Sequence, residues 1–146
     1  MRPRARPRAA PLGAYFAGET GELVEQARLS AEVTHAHPEG QAGAIAVAVA
    51  SAVARRARER RQRATFGAVL DAVLAHTPDG DTRRGLAQAR RLEGTPAARA
   101  AQVLGDGARV IASDTVPFAV YCAASHLDSL EDALFDAMSG LLDPAA

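Results

Sequence analysis

The chain is 146 residues long, enough for one domain with a core of its own. Apolar residues make up 48% of it, but alanine supplies much of that share and tryptophan is absent, so the core has to close through small side chains in near contact. The 17 basic residues, all arginine, balance 17 acidic ones, which excludes a global field drawing the chain to nucleic acid or membrane.

Arginine without lysine, beside so much alanine, reads as the codon usage of a GC-rich bacterial genome. The single cysteine, Cys122, excludes an internal disulfide and fits a reducing compartment. Set in the apolar run from Val116 to Ala124, it reads as a buried core residue rather than a nucleophile. The N-terminus lacks an uninterrupted apolar stretch of signal-peptide length. Ala44 to Ala54 is apolar except for Ser51, yet too short for the about 20 residues that cross a bilayer. A cytoplasmic protein is expected.

Residues 1–8 alternate arginine with proline and alanine and are expected to form a disordered tail, with a nucleic-acid contact as the weaker reading. Residues 9–146 are expected to form one helical domain. Pro11 to Phe16 reads as a buried helical turn, and Leu23, Ala27 and Ala31 set a helical stripe over Glu22 to Ala31. The polar turn from Thr34 to Gly40 interrupts the helical pattern. A long helix from Glu39 to Gln62 follows; Ile45, Val47 and Val49 alternate like a strand, but length and alanine content decide for helix. Its second half, rich in arginine, is expected to leave the core for solvent.

Thr65 caps a helix over Phe66 to His76, with Phe66, Val69, Leu70, Val73 and Leu74 as its apolar stripe. Thr77 to Gly80 is a turn, and Asp81 or Thr82 caps a short helix to Leu92. Thr95 and Pro96 open the next helix and Gly105 closes it. A loop at Gly105 to Gly107 leads to a helix over Thr115 to Ser125 with Pro117 in its first turn. The last helix opens at Ser129 and ends at Gly140. His76 and His126 end helices, where the dipole suits them. The fold class is all-α, about seven helices with short connections.

The most informative stretch is Thr34-His35-Ala36-His37-Pro38-Glu39-Gly40, a polar turn feeding a helix so rich in Ala and Gly that its backbone can be approached closely. Two histidines two apart, with no nearby Cys or Asp, make a poor zinc site, and Pro38 with Glu39 reads as a helix start. Packing of the turn is the plainer account of any one of these residues. The order of three segments, however, resembles the ADP-ribosylglycohydrolase family. Pro11 to Phe16 is similar to a buried turn of that family. Ala27 to Ala54 is similar to its Thr-His helix pair. Gly107 to Val110, Ser113 to Ala119 and Leu130 to Leu134 are similar to its penultimate helices. Together they span Ala9 to Asp143.

The resemblance implies a partial orthogonal multi-helix bundle. It implies magnesium-dependent hydrolysis of the glycosidic bond between ADP-ribose and an acceptor side chain. It places Thr34, His35, Gly40 and Gly43 at the ADP-ribose pocket and makes Asp143 the first acid of a late metal motif. Ala145 and Ala146 fall where that motif needs Asp and Thr, no Asp-Asp pair occurs in the chain, and nothing pairs recognisably with Asp143 or Asp106. Magnesium is therefore the family's cofactor but is not expected on this chain, and the polypeptide alone is expected to be inactive. The partners implied are ADP-ribose or an ADP-ribosylated protein. A partial fold also leads one to expect self-association or a complementing N-terminal fragment. The alternative is a non-catalytic ADP-ribose-binding or protein-interaction domain; a generic helical domain with an accidental likeness is the third reading.

Overall fold

A computed structural model describes residues 9–105, 107, 109 and 111–142. The segment 1–8, Asp106 and Asp143 lie outside the described residues. All regular structure among the described residues is helical: α1 (Ala9–Tyr15), α2 (Thr20–Glu32), α3 (Pro38–Glu59), α4 (Phe66–His76), α5 (Asp81–Arg91), α6 (Ala97–Leu104), α7 (Ala112–Ser125) and α8 (Leu130–Leu142). None of these helices is long and apolar enough to cross a membrane.

The central helix is α3, with α1, α2, α4 and α7 packed around it, α5 lying on α4 and α7, and α6 and α8 closing against α7. Its buried positions Ala42, Ile45, Ala46, Val49 and Ala52 follow a helical period, so the Ile-Ala-Val-Ala-Val alternation is an accident of composition. Alanine on that face lets neighbouring backbones come close. Gly13 of α1 lies against the Ala48 carbonyl, and a Cβ there would collide with backbone that has nowhere to move. α2 buries Leu23, Ala27 and Ala31, three positions four residues apart. The turn at the chain's start is buried only on the Gly13 side. Tyr15, expected inside, is 82% exposed and meets Phe16 edge-on.

Helix ends show where local rules suffice and where they do not. The Thr65 hydroxyl accepts from the Ala68 amide at 3.1 Å, capping α4 as its sequence implies. The His37 ring accepts from the Glu39 amide at 3.2 Å and Pro38 occupies the first helical position, so the turn starts α3. Neither Asp81 nor Thr82 caps α5, contrary to expectation. The Glu39 carboxylate does so from α3, accepting from the Asp81 and Thr82 amides, each at 2.8 Å. Helix N-terminal amides favour a carboxylate over a hydroxyl, and Gly80 offers no side chain to compete. α7 starts at Ala112, three residues earlier than expected, so Pro117 sits inside the helix rather than in its first turn. The last helix runs two residues beyond Gly140. One helix more than expected is present because the opening turn is itself a full helix.

α3 ends in a complete Schellman motif: the Gln62 amide reaches the Ala57 carbonyl at 2.8 Å and the Arg61 amide reaches Arg58 at 3.1 Å. The left-handed position is Arg61, with φ 53°, where glycine is the ordinary occupant. α7 is anchored by Tyr121, whose buried hydroxyl shares its proton between the Leu92 carbonyl (3.1 Å) and the Thr95 carbonyl in the α5–α6 connection. Its ring meets Phe66 edge-on at 5.5 Å and Phe118 nearly parallel at 6.5 Å. Cys122 beside it is buried as expected, and burial, with Asp136 adding to it, pushes its thiol up to about 12.

Burial alone would raise the Glu39 pKa. The adjacent Thr82 hydroxyl, the two capped amides and the His37 ring together outweigh it, so Glu39 titrates below the ordinary glutamate range. Its folded-state pKa is lower than its unfolded one, so its contribution is present above about pH 4.5 and lost as pH falls through the lowered value. Glu39→Gln should therefore cost about 1 kcal/mol at pH 7 and progressively less below pH 4.5, read by urea melts across pH. Arg61→Gly should stabilise by roughly 0.5–1 kcal/mol, because relief of the left-handed strain exceeds the added chain entropy; the same melts report it.

Candidate functional site

The turn between α2 and α3 forms one wall of a partly open cavity of about 220 Å³. Thr34, His35, Gly40 and Gly43, singled out from sequence, all line it. Ser30 of α2 and Thr115 of α7 add hydroxyls, and Val47, Val116 and several alanines make the remaining walls apolar. The site draws on α3 and on α1, α2 and α7 packed against it.

Two contacts position the His35 ring. Thr34 Oγ1 lies 3.3 Å from the Ala31 carbonyl, which only accepts, and 2.8 Å from His35 Nδ1. The hydroxyl's one proton serves either the carbonyl or Nδ1, and the imidazole tautomer follows that choice. His35 Nε2 is buried and has no hydrogen-bond partner within the protein; the same holds for Thr82 Oγ1. The two glycines make the room. A Cβ at Gly40 would lie 2.9 Å from His35 Cβ, and one at Gly43 would lie 3.0 Å from Ala112 Cβ and 3.1 Å from Val116 Cγ2.

Asp114, one residue before Thr115, is the buried carboxylate of the described residues. Its Oδ2 accepts from the Arg109 amide at 3.0 Å and its Oδ1 from the Arg109 guanidinium at 3.1 Å. It thus pins the loop before α7 and is not free to ligate. Sequence reading gave it no role, because a lone Asp at a helix start signals only a cap. No group of three or more His, Cys, Asp or Glu among the described residues is placed to hold a metal ion. Their donor set does not fit magnesium, which needs several oxygens in near-octahedral array. His126 ends α7 as expected and also lies 2.6 Å from Asp136 of α8 through Nε2.

The sequence model of the family described as ADP-ribosylglycohydrolase matches residues 5–143. No curated protein and no solved structure matches the chain.

Gly40→Ala is expected to destabilise by about 1 kcal/mol, against the usual gain from glycine replacement in helices, because the new methyl meets a Cβ fixed to the His35 backbone. The two-dimensional NMR signals of the His35 ring should shift, with the denaturation midpoint falling alongside.

Proposed function

This chain belongs to the ADP-ribosylglycohydrolase family, and on that premise we propose that the cavity around His35 binds ADP-ribose. The observation that carries the reading is that Thr34, His35, Gly40 and Gly43 line one cavity together with the hydroxyl-bearing Ser30 and Thr115. An imidazole there accepts from or donates to a ribose hydroxyl according to its tautomer. At about 220 Å³ the cavity falls below the roughly 300–1,000 Å³ of sites that enclose a whole ligand. It fits one ring of ADP-ribose, with the diphosphate lying across the rim. Gly40 and Gly43 then act by permitting close approach, and Thr34 by holding the imidazole through Nδ1.

The family's reaction is hydrolysis of ADP-ribosyl bonds, generally with metal. On this chain we propose binding without turnover, since the described residues supply no oxygen cage and Asp114 is already engaged with Arg109. The uncovered apolar side chains of α8 support the expected self-association.

Ligand that binds only the folded state at about 100 times its Kd stabilises by about 2.7 kcal/mol. For a chain of this size that raises Tm by roughly 5–10 °C. Millimolar ADP-ribose is expected to give such a shift, and His35→Ala to remove most of it. An unmoved Tm would overturn the binding reading. Magnesium-dependent release of ADP-ribose from a modified protein by the purified chain would overturn the absence of turnover and leave the pocket standing.

A further inference from the structure

The zero net charge hides a strong segregation. Residues 55–63 hold six arginines, with Glu59 as their one acid, whereas residues 127–142 hold Asp128, Glu131, Asp132 and Asp136 and no basic residue. The basic block lines an open groove of about 890 Å³. Arg55, Arg58 and Arg63 border it, and Ala54, Ala57 and Leu127 form an apolar floor. Arg55 is tied to Glu59 at 2.7 Å and Arg63 to Asp128 at 3.6 Å, while Arg58 has no ion-pair partner among the described residues. The Schellman turn beside it adds Arg61 in a conformation that glycine would adopt without strain. Folding alone favours neither the crowding of like charges nor that choice.

The acidic block carries the converse feature. On α8, Leu130, Leu134, Phe135 and Met138 are all more than half exposed and share one face. Glu131, with Leu134, Phe135 and Met138, occupies positions i, i+3, i+4 and i+7, so the carboxylate lies within the apolar stripe. An amphipathic helix with acid on its apolar face suits an apolar surface beside a cation, which the groove offers at Arg58, its other arginines being paired with Glu59 and Asp128 of the same lining. The two surfaces adjoin, since Leu127 and Asp128 line the groove and α8 begins at Leu130.

We propose that two copies of this chain form a two-fold dimer in which α8 of each lies in the arginine-bordered groove of the other, with Glu131 facing Arg58 across both halves of the interface. This rests on the self-association reading and gives it a surface. Adjacent complementary patches on one molecule are what a closed, isologous pair needs, because each copy offers both halves of the contact at once. Charge sets register and orientation, and the apolar stripe supplies most of the area removed from water. The arginine groove has no aromatic side chain in its lining on which a nucleic-acid base would stack, so it does not favour single-stranded nucleic acid.

Sedimentation of the full chain tests the geometry. The native chain should dimerise at micromolar concentration and weaken several-fold between 0.1 and 1 M salt. Arg58→Glu and Glu131→Arg should each weaken self-association at least tenfold, with an unchanged helical spectrum, since both side chains are exposed. Mixing those two variants should restore the dimer, because both cross-contacts again join opposite charges. A monomeric native chain would overturn self-association and the interface together, whether or not it binds RNA or an acidic peptide. A dimer indifferent to both charge reversals would overturn this interface while leaving self-association standing. Neither outcome touches the Tm shift by ADP-ribose, which reports on the separate cavity around His35.

Discussion

Close approach of backbones along α3 is the constraint on which the rest of the molecule depends. A chain without tryptophan and with few large side chains cannot fill wide gaps between helices, so it must remove the gaps. Ala42, Ala46, Ala48 and Ala52 are all buried on α3, and Gly13 brings α1 onto the Ala48 carbonyl. Each contact gains little alone, and their sum depends on the absence of any larger side chain along the seam. The one large, fully buried ring, Tyr121, therefore stands apart from this seam, where α7 meets Phe66 and the α5–α6 connection. The molecule has two packing regimes: small on small around α3, and aromatic on aromatic beneath α6 and α8.

The candidate site is built from the end of the small-residue seam. Seven residues, Thr34 to Gly40, start α3 through His37 and Pro38, cap α5 through Glu39, and orient a histidine through Thr34. Because the same turn serves helix capping at two places, its backbone is fixed without help from a ligand. Rigid support of this kind holds a recognition group at a defined orientation at small entropic cost on binding. The coupling also means that stability and recognition share residues: a change at Glu39 acts on α5, forty-two positions away, and on the turn bearing His35.

Much of this was legible in the sequence, and the failures have a common cause. The stripe of Leu23, Ala27 and Ala31, the Thr65 cap and the helical reading of Ile45 to Val49 rest on neighbours within two turns, and they hold. The resemblance brought Thr34, His35, Gly40 and Gly43 together, and they line one cavity. What was not legible depends on partners distant in sequence. The Glu39 cap on α5 replaces the expected Asp81 or Thr82 because a carboxylate arrives from another helix. The His126–Asp136 contact spans two helices, and Asp114 is occupied by Arg109 in a loop that periodicity cannot describe. The early start of α7 has the same origin: its first turn packs against Gly43, a neighbour no local window contains.

The orphaned nitrogen of His35 bears on whether the cavity is an accident of packing. A buried acceptor left without a partner costs about 1–3 kcal/mol, a sizeable fraction of the 5–15 kcal/mol by which a domain is stable. A purely structural histidine at this place would do better with its ring turned to solvent, or with an apolar residue in its stead. Thr34 prevents the turn by holding Nδ1, and Gly40 leaves the space the ring occupies, so two neighbouring choices maintain the unfavourable arrangement. Packing explains each of those choices singly but not their agreement. Arg61 stands at the far end of α3 in a left-handed conformation that glycine would adopt without strain. A single helix thus carries a locally unfavourable feature at each end, and its small-residue middle supplies the stability that tolerates both.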